Sequence, residues 1–256
     1  MGYMLIDIEN PSNSLEWMAF LGKKYFSLFL QGTWITLYVS VLGTVFGFVL
    51  GYLVGIIEDI KINKEDFIFK KFILHLLKLV SLCYVGIFRG TPMLVQGMIV
   101  YYGLRQGGVD ITSVAAGILV TLLNTGAYMS ETVRAGIKSV DPGQREGALA
   151  LGMSPLMTMF TVILPQAFKN IIPEMANMFL TNLKMTSVLN VIGVSELFLM
   201  AKTAGGTYYK YFEAYMVIAV IYFVLCFIFN RVFLFIEKRM NGRKDYAMAV
   251  EFMDND

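Results

Sequence analysis

The side chains that most often hold metals or attack substrates are scarce in this sequence. There is one histidine, His75, and there are two cysteines, Cys83 and Cys226, each inside an apolar run. A zinc site needs several such ligands close together, and cysteines in apolar surroundings behave as small hydrophobes. His75 reads as a polar residue near a helix start. No Ser/His/Asp set stands out. No G-x-x-x-x-G-K-[ST] stretch occurs, so no nucleotide phosphate is cradled by a loop of that kind. Catalytic and metal-ligating residues are therefore not expected. The chemistry this chain offers lies in two other places: a densely capped polar segment, and ionisable groups set within apolar runs.

The capped segment is Ser139 to Gln166, SVDPGQREGALALGMSPLMTMFTVILPQ. Asp141 suits an N-cap, Pro142 the first helical position, and Gln144, three residues on, would close a capping box. The helix would run about ten residues, with Ala148, Leu149 and Leu151 as its apolar side. Gly152 is placed to end it as a left-handed stop. Ser154 and Pro155 start a second helix at once, and Pro165 and Pro173 punctuate the entry into the next apolar run. A plain surface loop has no need of such definition. A short exposed helix lying crosswise between two spans could dock in a groove of a soluble partner and pass force to those spans.

The elements that position this segment are membrane spans. Hydrophobic residues make up 57% of the chain, charged residues 16%, and mean hydropathy is +0.63, well to the apolar side of a soluble domain. A net charge of +2 gives no argument for nucleic acid. About 20 apolar residues cross a bilayer core, and five stretches qualify: Thr33 to Ile57, Phe72 to Leu104, Ile111 to Ser130, Pro165 to Lys184 and Ala214 to Ile236. The chain divides into an outer amphipathic segment, 1–30, a membrane domain, 31–236, holding the capped loop at about 139–165, and an inner tail, 237–256. Within the first, Trp17 to Leu30 reads as an amphipathic helix lying on the surface. No cleavable leader is expected, because acids precede any base and no apolar core comes after them. Ile6 breaks the lipidation pattern that Gly2 would need.

Five spans put the termini on opposite sides. With the N-terminus outside, the inner segments hold Lys61, Lys64, Lys70, Lys71, Arg134, Lys138, Arg145, Lys238, Arg239, Arg243 and Lys244. The outer ones hold Lys23, Lys24, Arg105, Lys202 and Lys210. Eleven against five favours an outer N-terminus and an inner C-terminus. Gly43, Gly47, Gly51 and Gly55 recur every four residues on one face of the first span, where small residues permit close helix approach. That face packs either within the chain or against a partner subunit. Lys202 to Lys210, KTAGGTYYK, reads as a flexible outer connector.

Charges inside spans need partners. Arg89 precedes Pro92, and Glu131 lies at the inner end of the third span; an ion pair between them would fix spans two and three beside the capped loop, unless each reaches the interface separately. Glu174 and Lys184 stand ten residues apart on the fourth span and do not face each other.

The capped segment resembles a known family. Glu146-Gly147-Ala148, then Gly152, then Val162-Ile163-Leu164-Pro165 have the spacing of the EAA signature of bacterial importer permeases, with Gly147 and Val162 as mild departures. Phe88-Arg89-Gly90-Thr91-Pro92-Met93-Leu94-Val95-Gln96 is similar to that family's FRGTPLLVQ stretch, and Ala127 to Ile137 to its AYxAExxRGGI stretch. Leu183 to Val188 resembles LKDTSL, with Met185 in the place of the acid. These stretches mark the amino-acid branch. The resemblance implies an all-α, type I ABC importer permease fold of five transmembrane helices with a cytoplasmic coupling helix, in the cell membrane. It implies an ATPase partner, which binds ATP and magnesium, gripping Asp141, Pro142, Arg145, Glu146, Gly147, Ala148, Leu151 and Gly152. It implies an extracellular binding protein that delivers a polar amino acid, and a second permease, whether a copy or a homologue. A solute carrying both an ammonium and a carboxylate needs donors and acceptors along its path. Gln96, Asn124, Glu174, Asn177 and Asn182 are the candidates, with interhelical hydrogen bonding as the other use of such residues. A stand-alone channel or secondary transporter is the alternative; it would expect a filter motif or an inverted repeat, and neither is visible.

Overall fold

The computed structural model describes residues 11–60, 62 and 67–240. Ten α-helices succeed one another among these residues: α1 Ser14–Lys24, α2 Phe26–Asp59, α3 Ile68–Gly90, α4 Met93–Gln106, α5 Ser113–Lys138, α6 Pro142–Ala150, α7 Pro155–Thr158, α8 Leu164–Met185, α9 Leu197–Tyr208 and α10 Tyr211–Met240. A π-helical turn, Met159–Ile163, joins α7 to α8, and a 3-10 turn, Thr186–Ile192, leaves α8. α2, α3, α5 and α10 are each long and apolar enough to cross a membrane. Pro155–Ile192 and Leu197–Tyr208, bent by 58° at the break between them, are together long and apolar enough for a fifth crossing if the bent pair is one span. Lys61, Lys64, Arg243, Lys244 and the tail from 241 on lie outside the described residues.

The expected surface helix at Trp17 to Leu30 is cut in two. Tyr25 leaves helical geometry (φ −104°, ψ 20°) after Lys23 and Lys24, whose positive charges suit the end of α1. Phe26 to Leu30 then belong to α2. α1 is not merely laid on the surface. Its Leu21 is fully buried against Ala201, Ala204, Ala214 and Ile218 of α9 and α10. Asn13 and Glu16 form the capping box that starts it.

The second apolar stretch is likewise two helices. Pro92 has no N–H and pushes Thr91 out of helical space (φ −124°, ψ 147°), so α3 stops and α4 starts again at Met93. The supposed connector at Lys202 to Lys210 is mostly helix. Glu196 caps α9 by accepting from the N–H groups of Phe198 and Leu199, at 2.8 Å each. Ala204 and Gly205 are buried, Gly205 against Ala214 and the backbone of Tyr211. Only at Tyr209, with φ 55°, does the chain turn. The last crossing runs past Ile236, α10 continuing to Met240.

At the centre α2 lies against α5, and the four-residue glycine repeat is the seam. A Cβ on Gly47 would meet Thr125 at 2.6 Å, one on Gly51 Met129 at 2.6 Å, and one on Gly55 the carbonyl of Ser130 at 2.8 Å; Gly43 faces Thr121 in the same way. The face is thus used inside the chain and is not free for a partner. At 1.5 Å per residue α2 is about 51 Å long, more than the ~30 Å hydrocarbon core. Its last residues therefore project beyond lipid, to the end of the bundle that carries α6.

Candidate functional site

α6 packs against the π turn and α7 and reaches the end of α2 through Arg145 and the start of α8 through Gln144. Asp141 starts it, its Oδ1 accepting from the Gly143 N–H at 2.6 Å, with Pro142 at the first position. Gln144 does not complete a capping box. Its Oε1 instead accepts from Nε2 of Gln166 on α8, at 3.4 Å. α6 ends at Ala150, and Gly152 comes shortly after with φ +81°. No other residue's atoms crowd Gly152, so it is the left-handed backbone, not space, that asks for glycine there. Ser154 caps α7 by accepting from the Met157 N–H.

Only part of the expected apolar side turns inward. Ala148 is buried toward the π turn, whereas Leu149 is exposed and Leu151 is 86% exposed. Leu156 and Met157 of α7 are exposed beside them. Glu146 and Gly147 also face outward, and a Cβ on Gly147 would meet nothing within 4 Å. Below α6 a core of Val133, Ile137, Val140, Met159, Ile163, Ala167 and Ile171 binds α5 to the π turn and α8. Asn170 on α8 donates to Ser139 Oγ at 2.9 Å. A π turn inserts an extra residue into its helix, and here it takes in Val162 and Ile163, with Leu164 and Pro165 opening α8.

Arg145 does not point outward with its neighbours. Its Nη2 lies 3.1 Å from Oδ2 of Asp59, the last residue of α2. The residue before, Glu58, sits 3.8 Å from Arg134 Nε. Arg134 contacts Glu131 at 2.5 Å, and Glu131 lies 3.5 Å from Nη1 of Arg89. The Arg89 guanidinium also lies over the Tyr128 ring, 5.5 Å from its centroid. Sequence reasoning misses Asp59 and Glu58. The signal available is an acidic pair ending an uncharged span, with no local clue to its partner 86 residues away.

The polar candidates separate into two groups. Gln96 is 5% exposed; its Nε2 donates to the carbonyls of Phe88 and Thr91 at 2.9 Å each, and its Oε1 accepts from Asn124 at 3.0 Å. Asn124 also donates to the Phe88 carbonyl at 3.2 Å. These two side chains take up the carbonyls that the break at Pro92 leaves without helical partners. Asn182 is 2% exposed and donates to Thr44 and Thr125 at 2.8 Å each, bolting α8 to α2 and α5. Gln96 and Asn182 are buried and Asn124 half-buried, and all three bond to groups on neighbouring helices or at the break. Glu174 and Asn177, in contrast, are exposed. With Asn170, Thr181 and Lys184 they recur at intervals of four, three, four and three, which is one stripe along α8. Asn177 also lines a small cavity between α8 and α10 with Pro173, Asn230 and Glu237. Met185 is exposed beside the far end of the stripe.

Residues 72–242 match the family described as binding-protein-dependent transport system inner membrane component. The chain is 34% identical over 221 residues to the "Probable amino-acid permease protein YxeN" of Bacillus subtilis (strain 168), covering 85% of this chain and 92% of that one. It is 39% identical over 160 residues to the arginine transport system permease protein ArtQ of the same organism, covering 62% and 73%. Among solved structures it is similar to a chain of an amino acid ABC transporter crystallised with histidines. There the TM-score is 0.76 at 36% identity, over 90% of this chain and all of the other.

Proposed function

This chain belongs to the family of binding-protein-dependent transport system inner membrane components, and from that premise we propose that it carries a polar amino acid across the cell membrane as the permease subunit of an ATP-driven importer. The observation that carries the reading is the exposed face of α6 and α7. Leu149, Leu151, Leu156 and Met157 lie open there, held by a helix with a proline start and a left-handed stop. Apolar side chains grouped at the polar end of a membrane bundle mark a protein contact. An ATPase subunit occupies that face, with Glu146 and Gly147 at its centre; ATP and magnesium belong to that partner. Arg145 points away from that face, to Asp59.

The α6 end is cytoplasmic. Lys70, Lys71, Arg134, Lys138, Arg145, Lys238 and Arg239 gather there, against Lys23, Lys24, Arg105, Lys202 and Lys210 at the other end. That bias supports an N-terminus outside and a C-terminus inside. An extracellular binding protein delivers the solute at the α9 end. The path runs along the α8 stripe, where Glu174 accepts from an ammonium, Lys184 donates to a carboxylate, and Asn177 and Thr181 serve both. Polar side chains left uncovered on a spanning helix support a wet cavity on that face. A second permease, either a copy or a homologue, closes the cavity opposite.

The test is reconstitution in lipid vesicles with the ATPase and the binding protein, reading uptake of each labelled amino acid. Uptake that needs all three components and ATP supports the proposal. Solute passage through the chain alone, without ATP, would replace it with a self-sufficient channel or secondary transporter.

A further inference from the structure

α2 ends in two consecutive carboxylates, and each is taken by a different helix. Asp59, with only 12% of its side chain exposed, pairs with Arg145 of α6 at 3.1 Å; Glu58, 14% exposed, pairs with Arg134 of α5 at 3.8 Å. Arg134 is shared with Glu131, and Glu131 with Arg89 at the end of α3. Lys78 of α3 donates to the Glu58 carbonyl at 3.0 Å. Three guanidinium groups and three carboxylates thus form a track in two pieces, Arg145–Asp59 and Glu58–Arg134–Glu131–Arg89, joined by the backbone between Glu58 and Asp59 and running from α6, across the end of α2 and along α5, to the point where α3 breaks. Beyond Arg89 lie Pro92 and the Gln96–Asn124 clamp.

The interior members, Arg134 and Glu131, each have two opposite charges in reach. A displacement of an ångström or so lets them exchange partners without stranding a charge away from water, which an isolated partly buried pair cannot do. An element with two discrete arrangements is what coupling between distant sites requires. We propose that this track, entered through Asp59–Arg145, transmits movement of α6 to the α3–α4 break, making Asp59 and Glu131 positioning residues that couple ATP hydrolysis to solute passage. The inference rests on the importer reading and adds the route within this chain.

The experiment uses the full complex in vesicles and measures solute moved per ATP hydrolysed. Asp59→Asn should keep assembly and ATP hydrolysis while lowering that ratio about fivefold or more, the lower end of couplings between sites. Glu131→Gln, at the far end of the track, should do the same. The exchanged pair, Asp59→Arg with Arg145→Asp, should recover the ratio at least in part. Uptake and hydrolysis falling in proportion, an unchanged ratio, or failure of both single variants to assemble would each overturn the proposal in favour of simple support. If the unaltered chain itself recruits no ATPase, it is the importer reading that fails.

Discussion

The α2–α5 seam and the α6 turn are built on opposite plans. Along the seam side chains are removed: Gly47, Gly51 and Gly55 bring two backbones close, and the polar groups near them, Thr44 and Thr125, are tied by Asn182. At α6 the backbone is held by a proline, a cap and a left-handed glycine, and Glu146, Leu149 and Leu151 stand exposed. A seam without slack suits a part that moves as a body. A stiff backbone with open leucines suits a part that another protein grips. Both regions are glycine-dependent, but for different reasons, and substitution separates them.

The largest effect belongs to the seam. A Cβ on Gly51 would lie 2.8 Å from the Gly126 carbonyl and 2.9 Å from the Ser130 nitrogen, and backbone cannot step aside. Gly51→Leu is expected to cost about 3 kcal/mol or more, at the upper end for overpacking. It should be read as loss of monodisperse protein after detergent extraction.

At α6 the expected effects are smaller and local. Gly152→Ala forces a Cβ into left-handed backbone at a cost of about 1–2 kcal/mol. Extraction and thermal stability of the bundle should stay near those of the unaltered chain, while capture of the ATPase weakens. Gly147→Ala is the contrasting case. The site is open and helical, and alanine favours helix over glycine by about 1 kcal/mol. Capture should be undiminished. A Gly152 variant that unfolded the bundle, or a Gly147→Ala that unfolded it, would erase the distinction between the two regions.

The smallest effect lies at the opposite end of the molecule. Hydrogen bonds from the Ser12 backbone and hydroxyl to the Glu16 carboxylate, helped by Asn13, hold its pKa below the ordinary 4.5. A depressed carboxylate pKa stabilises the folded form above the unfolded pKa, and that contribution disappears as pH falls through the folded value. Protection of the amides at the start of α1 against hydrogen exchange, relative to their intrinsic rate at each pH, should fall below about pH 4, and Ser12→Ala should shift that onset upward. Protection at the glycine seam should stay unchanged over the same range.

How much of this is legible in the residues depends on the range of the cause. The caps and stop of α6 are local chemistry, and Asp141, Pro142 and Gly152 do what their types and spacing indicate. The glycine repeat marks a close-packed face but not its partner, which only the fold supplies. Gly205 and Gly206 suggest a flexible connector, yet burial against α10 makes helix of them, tertiary packing overriding propensity. Gln96 and Asn182 have the side chains of pathway residues and of interhelical bolts alike; their burial and hydrogen-bond partners come from the fold and are not written locally. The joining of Asp59 to Arg145 leaves no trace at all in the sequence pattern, since nothing local marks two charges as neighbours across 86 residues.

The most direct measurement is a cross-link from α6. With Cys83 and Cys226 replaced by serine and Leu151→Cys as the single thiol, the complex is treated with a short thiol-to-amine reagent in sealed vesicles of known orientation. The account expects a covalent adduct between this chain and the ATPase subunit, formed on the cytoplasmic side and lost when Glu146→Lys is added. No adduct from a complex that transports normally, or labelling of that thiol from the outer side of the membrane, would contradict it.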